Sequence, residues 1–265
     1  MPSSRMIRSA AFAVLLAAAA GGISEGQQPA RSAPTAPTAA DWAALAKLPD
    51  FTGVWEVGFG APAGRGAGGR GARAGGPPAG PQLTPAYAEK RRARLANPPE
   101  DSQAANCLPP GMPGIMGQPY PMEFLLTPGL VTIVIEAYTQ VRHVYTDGRP
   151  LPADPDPKFH GTSIGHWEGD TLVAETVGFS PQTDLGQATP HSDKMKIIER
   201  FKLTDPDTMT IETTVTDSDA LAAPFTSTRM LKRHRGWTIA EYICEENNRN
   251  FVDANGKAGI NIKKD

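Results

Sequence analysis

The sequence predicts a mainly β protein that folds as an antiparallel β-barrel of about eight to ten strands, with short helices near its N-terminus. From Phe124 onward, apolar and polar residues alternate with period two, as in half-buried strands. Short clusters of turn residues separate these segments at regular spacing. The segments do not alternate with amphipathic helices, so βαβ units are not expected. A β-sandwich built from the same strands is the alternative architecture.

Residues 1–26 have the organisation of a secretory signal peptide. Arg5 and Arg8 supply positive charge, residues 10–20 form an apolar segment, and residues 18–22 are small, as signal peptidase requires. The apolar segment is shorter than the roughly 20 residues that span a bilayer. A buried alanine-rich helix is the alternative. We therefore expect a cleaved signal peptide and a periplasmic or extracellular protein.

One barrel domain is expected over residues 50–250, between a Pro/Ala-rich tail at residues 27–49 and a C-terminal tail at residues 251–265. The first tail contains a short predicted helix, residues 41–48, with Asp41 as its cap. The first strand is predicted at residues 51–57. Residues 84–95 are predicted to form a second helix, because Thr84 precedes Pro85 and a run of helix-forming residues.

Residues 58–82 form a low-complexity loop of Gly, Ala, Arg and Pro within this domain. Arg65, Arg70 and Arg73 resemble the RGG segments that bind nucleic acid. However, the formal net charge of −2 shows no excess of positive charge that would attract nucleic acid. In an exported protein a flexible surface loop is the expected role. We expect neither a nucleic-acid partner nor a membrane-spanning segment.

The remaining strands follow from alternation and from the turns between them. Residues 162–167 and 171–177 predict a hairpin around Glu168, Gly169 and Asp170, and a second hairpin turns at residues 205–207. The predicted strands are residues 130–137, 140–146, 162–167, 171–177, 195–203, 208–216, 225–232 and 237–244.

Alternation also places charged side chains on otherwise apolar strand faces. These faces hold Glu199 with Ile197, Phe201 and Leu203; Glu241 with Trp237, Ile239 and Ile243; Arg229 with Phe225 and Leu231; and His143 with Val141 and Tyr145, while Arg142 lies opposite. Buried charges are costly unless they are paired. Three explanations stay open: an ion-pair network of Glu199, Glu241 and Arg229, a polar patch in a ligand cavity, or a bulge that reverses one face.

The two cysteines, Cys107 and Cys244, are expected to form a disulfide, because an exported chain folds in an oxidising compartment. Closing so long a loop would stabilise the fold by about 4–5 kcal/mol in the chain-entropy description. A reactive thiol is the alternative, although no Cys-x-x-Cys motif or activating neighbour is present.

Motifs of nucleotide-binding and hydrolytic enzymes are absent: there is no Gly-x-Ser-x-Gly or His-Glu-x-x-His pattern, no Walker loop, and no Rossmann fingerprint in a strand–turn–helix unit. A zinc site at His160 and His166 is disfavoured, because the glycines near them argue against one continuous strand. A solvated loop is a better interpretation of Asp154 and Asp156 than a calcium site. His191 lies in a loop and is a candidate functional residue. We expect no metal and no cofactor.

Four motifs resemble those of a family of secreted bacterial β-rich proteins: TDGRPLP at residues 146–152, GHWEGDTLV at 165–173, PHS at 190–192 and IERF at 198–201. The resemblance covers residues 51–247 and implies export and a single β-rich domain, but no activity or catalytic residue. Separately, Gly53-Val54-Trp55 is similar to the Gly-x-Trp motif on the first strand of lipocalins. With the predicted strand number, this similarity implies a calycin-like barrel.

Three functions stay open at this point. The first is a binding module that holds a small, largely apolar molecule, with Arg142, Glu199 and Glu241 orienting its polar ends. Its candidate ligand-binding residues are Arg142, His143, Tyr145, Trp167 and Arg229. The second is a cofactor-independent lyase, isomerase or hydrolase in which Glu199 or Glu241 exchanges protons with His191 or His143. The third is an envelope interaction protein, for which the Pro-rich tail is the indication. The sequence does not determine the oligomeric state.

Overall fold

A computed structural model describes residues 36–58, 80–97, 107–243, 250–252 and 258–260. From Pro37 onward these residues belong to one compact unit, Pro37–Asp265. The predicted signal peptide, most of the low-complexity loop and Cys244 lie outside the described residues. The Cys107–Cys244 disulfide therefore stays a prediction. Within the described ranges, no helix has the length and apolar character needed to cross a membrane.

Nine strands form the barrel. In chain order they are β1 Gly53–Val57, β2 Met122–Thr127, β3 Leu130–Ile135, β4 Gln140–Tyr145, β5 Thr162–Glu168, β6 Thr171–Val177, β7 Lys196–Asp205, β8 Thr208–Thr216 and β9 Phe225–Arg233. A separate two-stranded sheet pairs β10 Asn250–Val252 with β11 Ala258–Ile260. The α-helices are α1 Ala39–Leu45 and α2 Pro85–Ala96, and 3₁₀ helices lie at Gly114–Gly117 and Ala137–Thr139.

The strands follow one another around the barrel in chain order, and β1 closes the sheet by pairing with both β2 and β9. This closure confirms the predicted β-barrel of about eight to ten strands, whereas a sandwich would leave two sheets with free edges. The neighbouring pairs are antiparallel except for β4 and β5, which run parallel. That exception was not predicted. The ladder between β4 and β5 joins only two residue pairs, Val144 with Ser163 and Tyr145 with Ile164.

The barrel interior is packed with apolar side chains supplied by alternate residues of the strands. Phe124 of β2, Ile133 of β3 and Phe201 of β7 are completely buried in this cluster. The segment before β2 adds the buried Met112, Ile115 and Met116, of which the last two belong to the first 3₁₀ helix. This filled interior differs from the ligand cavity that was one of the three explanations for the inward-facing charges.

The Gly-x-Trp motif contributes to barrel closure. Trp55 is completely buried, and its indole nitrogen donates to the Phe51 carbonyl at 2.9 Å. The guanidinium of Arg233, at the end of β9, lies 4.5 Å from the centroid of the Trp55 ring. The same guanidinium pairs with the Asp50 carboxylate at 2.9 Å. Cation–π contact and ion pair together connect the first and last strands of the barrel.

The helix at the N-terminus begins earlier than predicted. Thr38, and not Asp41, is its cap: the Thr38 hydroxyl accepts from the Asp41 backbone N–H, and the Asp41 carboxylate accepts from the Thr38 backbone N–H at 2.7 Å. This reciprocal arrangement is a capping box, which places the acid at the third helical position. The second helix follows Thr84, as the sequence predicts.

The last predicted strand, residues 237–244, is wrong over the residues that the structure describes. Residues 237–243 form no regular structure, Trp237 is 47% exposed, and Glu241 is exposed as well. The physical reason is that β9 already pairs with β1, so the closed sheet offers no edge for a further strand. The position beside β1 belongs instead to β2, a strand that the sequence analysis left undefined.

The predicted face of β4 is also wrong. Val141 is 50% exposed and His143 is exposed, whereas Arg142 and Val144 are buried. Alternation alone could not decide between the faces, because each of them carries one valine. The buried guanidinium of Arg142 finds a carboxylate partner inside the barrel, and this pairing makes the unexpected face possible.

Candidate functional site

A belt of polar side chains interrupts the apolar interior. Six successive strands, β4 to β9, each contribute one inward-facing member: Arg142, Ser163, Thr176, Glu199, Thr213 and Arg229. We call these six residues the polar belt. Cross-strand pairing aligns neighbouring members, since Ser163 pairs with Thr176 and Glu199 with Thr213. The closed sheet therefore brings side chains that are far apart in sequence to one level of the barrel.

Arg142 and Glu199 form the centre of the polar belt. Their side chains are 1% and 0% exposed, and one guanidinium nitrogen of Arg142, Nη2, bonds the carboxylate oxygen Oε2. The same nitrogen also donates to the Thr176 hydroxyl at 3.2 Å and to the Ser163 hydroxyl at 3.3 Å. Those two hydroxyls are 2.8 Å apart and bond each other. The predicted network of Glu199, Glu241 and Arg229 is therefore not the one that forms: Glu199 pairs with Arg142, and Glu241 is exposed.

Four buried polar atoms of the polar belt make no hydrogen bond among the described residues. They are Arg142 Nη1, Glu199 Oε1, Thr213 Oγ1 and Arg229 Nη1. A buried donor or acceptor without a partner costs about 1–3 kcal/mol. Such atoms are uncommon in folded proteins and are where a ligand or an ordered water would add the missing bonds. The polar belt can therefore receive further hydrogen bonds from both donors and acceptors.

Arg229 approaches the polar belt beside the first 3₁₀ helix. A side chain at Gly117 would meet its guanidinium, because a Cβ there would lie 2.8 Å from Arg229 Nε. Burial lowers the pKa of Arg229, while the Glu199 carboxylate opposes that shift. Glu199 thus bonds Arg142 directly and acts on Arg229 through its charge alone.

Two members of the polar belt, Arg142 and Ser163, belong to the lining of a cleft in the barrel wall, which we call the wall cleft. It has a volume of about 520 Å³ and lies between β4 and the segment that leads into β5. Its lining consists of Gln140, Val141, Arg142, His143 and Tyr145 on one side and residues 157–163 on the other. The opening exists because β4 and β5 pair only at Val144 and Tyr145. Its volume is within the range of sites for small molecules.

The far side of the wall cleft is fixed in place by backbone hydrogen bonds. Lys158 donates to the Gly178 carbonyl at 3.0 Å, and Ser180 donates to the Lys158 carbonyl at 2.8 Å. Gly161 then turns the chain with φ +65°, and a Cβ there would lie 2.6 Å from the Val177 carbonyl oxygen, so only glycine fits. This turn directs the preceding residue, His160, inward.

His160 is the titratable group of the wall cleft with the most altered pKa. Burial, together with the charge of Arg142, lowers its pKa from 6.5 to about 4, while a hydrogen bond with the Val141 backbone opposes the shift. Its Nε2 is buried and makes no hydrogen bond among the described residues. The imidazole is therefore neutral near pH 7. The Val141 hydrogen bond raises the pKa, as a bond donated by the imidazole N–H to a carbonyl does, so the proton is assigned to Nδ1 and the unbonded Nε2 is an acceptor.

The other predicted ligand-binding residues lie in different surroundings. His143 and Tyr145 line the wall cleft from the outer face of β4, where the Arg149 guanidinium lies 3.8 Å from the centroid of the Tyr145 ring. Trp167 faces inward at the opposite end of the barrel and packs on Phe51, with ring centroids 5.2 Å apart. The structure therefore joins Arg142 and Arg229 in the polar belt, but not Trp167.

The predicted acid–base residues are not assembled. Glu199 is in the polar belt, whereas Glu241 is exposed on the irregular segment after β9. His191 bonds within its own loop: its ring nitrogens lie 2.7 Å from the Ser192 carbonyl oxygen and 2.9 Å from the Thr183 hydroxyl. The geometry therefore offers Glu199 no histidine partner among those predicted, and the histidine at the wall cleft is His160.

Sequence reasoning missed Ser163, Thr176 and Thr213. The first two could have been found, because the turn at residues 168–170 sets the hairpin register and brings them opposite each other. Thr213 could not be identified in this way, because its place beside Glu199 depends on the register of β8 against β7. Among the described residues, no group of three or more His, Cys, Asp or Glu side chains is placed to hold a metal ion.

The fold and the site define a closed, mainly antiparallel β-barrel with a polar belt inside and a cleft in its wall. No protein-family model matches the chain, and no curated protein matches it. Two solved structures with similar barrels are a secretary abundant heat soluble (SAHS) protein from Ramazzottius varieornatus and a point mutant of the fluorescent protein UnaG. The first has 11% identity and a TM-score of 0.31, covering 69% of this chain and 95% of its own. The second has 14% identity and a TM-score of 0.32, and the match covers 69% of this chain and 96% of the UnaG chain. Likenesses of this size indicate no function.

Proposed function

We propose that this protein is exported and that its barrel binds a small, largely apolar molecule, whose polar end reaches the polar belt through the wall cleft. The observation that carries this proposal is the set of four buried belt atoms that make no hydrogen bond among the described residues. A barrel built only for stability would gain from apolar residues at these positions, since buried ion pairs seldom stabilise a fold more than well-packed hydrophobic groups do.

Export is supported by the signal-peptide pattern of residues 1–26 and by the resemblance of four motifs to secreted bacterial proteins. Export also favours the Cys107–Cys244 disulfide. An extracytoplasmic location suits a carrier or scavenger of a poorly soluble molecule, because such a function needs neither a nucleotide nor a reducing environment.

The test uses four compounds with one apolar body and different ends: 2-naphthamide, N,N-dimethyl-2-naphthamide, 2-naphthoate and 2-methylnaphthalene. Their fluorescence reports binding to the purified mature protein. The informative variant combines Arg142→Met with Glu199→Leu, because removing both charges leaves neither one buried and unpaired. We expect the three polar-ended compounds to bind the wild type and to bind this variant at least tenfold more weakly.

The matched control removes an ion pair on the outer surface with the same two replacements, Arg200→Met and Glu168→Leu. That pair is 41% and 47% exposed and its atoms are 2.6 Å apart. Its removal should leave binding unchanged, and circular dichroism should show both variants folded. The proposal is overturned if no compound binds the wild type, or if the belt variant binds all of them as the wild type does.

A further inference from the structure

We infer that the wall cleft recognises a carboxamide-type group, in which a carbonyl oxygen accepts from Arg142 and a neighbouring N–H donates to His160. This inference rests on the proposed function and specifies the polar end of its ligand. It assigns a role to His160, which belongs to no ion pair among the described residues and would otherwise be an unexplained buried polar residue.

His160 supplies the acceptor of this pair. Its ring is held by the Val141 backbone, and its Nε2 is buried at the wall cleft without a hydrogen-bond partner among the described residues. A neutral imidazole bonded through Nδ1–H has a lone pair at Nε2. That lone pair attracts an N–H or O–H donor and repels an anionic oxygen. A carboxylate, which has no donor, is therefore a poor partner for this atom.

Arg142 supplies the donor. It is 1% exposed, lines the wall cleft and has one nitrogen, Nη1, with no hydrogen bond among the described residues. Its positive charge is already compensated by the Glu199 carboxylate bonded at Nη2. A second anion would gain the attraction of Arg142 but would also face the negative charge of Glu199. A neutral carbonyl oxygen uses the free N–H without that repulsion.

The surroundings are consistent with a ligand that is neutral at this end. The remaining charged group in the lining is Lys158, which is exposed at the edge of the cleft, and His143 and Tyr145 are on the outer face of β4. The Ser163 hydroxyl is engaged with both Arg142 and Thr176. Among the described residues that line the wall cleft, the buried side-chain atoms without a hydrogen bond are Arg142 Nη1, a donor, and His160 Nε2, an acceptor. An amide matches that combination.

The same naphthalene compounds test this inference. We expect 2-naphthamide to bind about tenfold more tightly than N,N-dimethyl-2-naphthamide, which lacks the N–H donor, and more tightly than 2-naphthoate. His160→Phe should remove the preference between the two amides. His160→Gln should restore part of it, because its side-chain carbonyl is again an acceptor. His166→Phe is the control, since His166 is exposed and does not line the wall cleft.

The outcomes separate the two proposals. If 2-naphthoate binds more tightly than 2-naphthamide, or if His160→Phe keeps the preference for the primary amide, the inference is overturned while binding at the polar belt stands. If no compound binds the wild type, the proposed function fails with it. Loss of the preference in His160→Phe, with recovery in His160→Gln, supports both proposals.

Discussion

Acidification below pH 6.5 should destabilise the barrel through His160. The pKa of this buried imidazole is about 4 in the folded protein, against 6.5 for an unburied histidine. Between these two values the unfolded chain binds one more proton at His160 than the folded barrel does. Stability therefore falls as the pH decreases through this window, because protons favour the state that binds more of them.

The size of the effect follows from the two pKa values. No penalty is present well above pH 6.5, where the imidazole is neutral in both states, and the penalty is complete below about pH 4. The full loss is about 3 kcal/mol, of which about 2 kcal/mol falls between pH 7 and pH 4.5. For a protein of marginal stability this is a considerable fraction of the free energy of unfolding.

Urea unfolding of the oxidised protein at a series of pH values measures this effect. The useful quantity is the difference in unfolding free energy between the wild type and His160→Phe, because other titrating groups cancel in it. That difference should change by about 2 kcal/mol between pH 7 and pH 4.5, in the direction that favours the variant at low pH. His166→Phe is the matched control for replacing a histidine by phenylalanine, because His166 is exposed and does not line the wall cleft. Parallel pH curves for wild type and His160→Phe would refute the reasoning.

Two further predictions concern barrel closure and the disulfide. Arg233→Ala should lower the unfolding free energy by about 1–2 kcal/mol, because it removes the cation on the buried Trp55 ring. The control, Arg235→Ala, removes an exposed ion pair and should change the unfolding free energy by less than about 0.5 kcal/mol. Urea unfolding of both variants measures these changes, and an equal loss of unfolding free energy in the two variants would contradict the prediction. Reduction of Cys107–Cys244 should cost about 4–5 kcal/mol, and thiol titration of the denatured, unreduced protein should find no free thiol; two free thiols would show that the disulfide is absent.

Much of the fold could be predicted from the sequence, because alternation and turn residues act locally. The strand β8 was predicted with the bounds that the structure has, Thr208–Thr216, and the hairpin of β5 and β6 was predicted almost completely. The inward position of Glu199 followed from its apolar neighbours Ile197 and Phe201, which are all buried together. Local pattern was sufficient wherever one strand face was clearly more apolar than the other.

The rest depended on relations between strands that no local pattern contains. The face of β4 was decided by the pairing of Arg142 with Glu199, residues that are separated by 57 positions. The segment after β9 has the alternation of a strand, but the closed sheet left it without a neighbouring strand. His160 gained its altered pKa from a turn, from burial and from a charge on another strand. These are consequences of the assembled barrel.

The number of strands explains why the barrel wall contains a parallel pair. In an up-and-down meander each strand reverses the direction of the one before, so a ring closes with every pair antiparallel only when the strand number is even. This barrel has nine strands, and therefore one neighbouring pair must run in the same direction. A parallel pair requires a long connection, and the residues between β4 and β5 provide both that connection and His160. An odd strand number thus requires one parallel pair in the wall, and in this protein the wall cleft lies beside that pair.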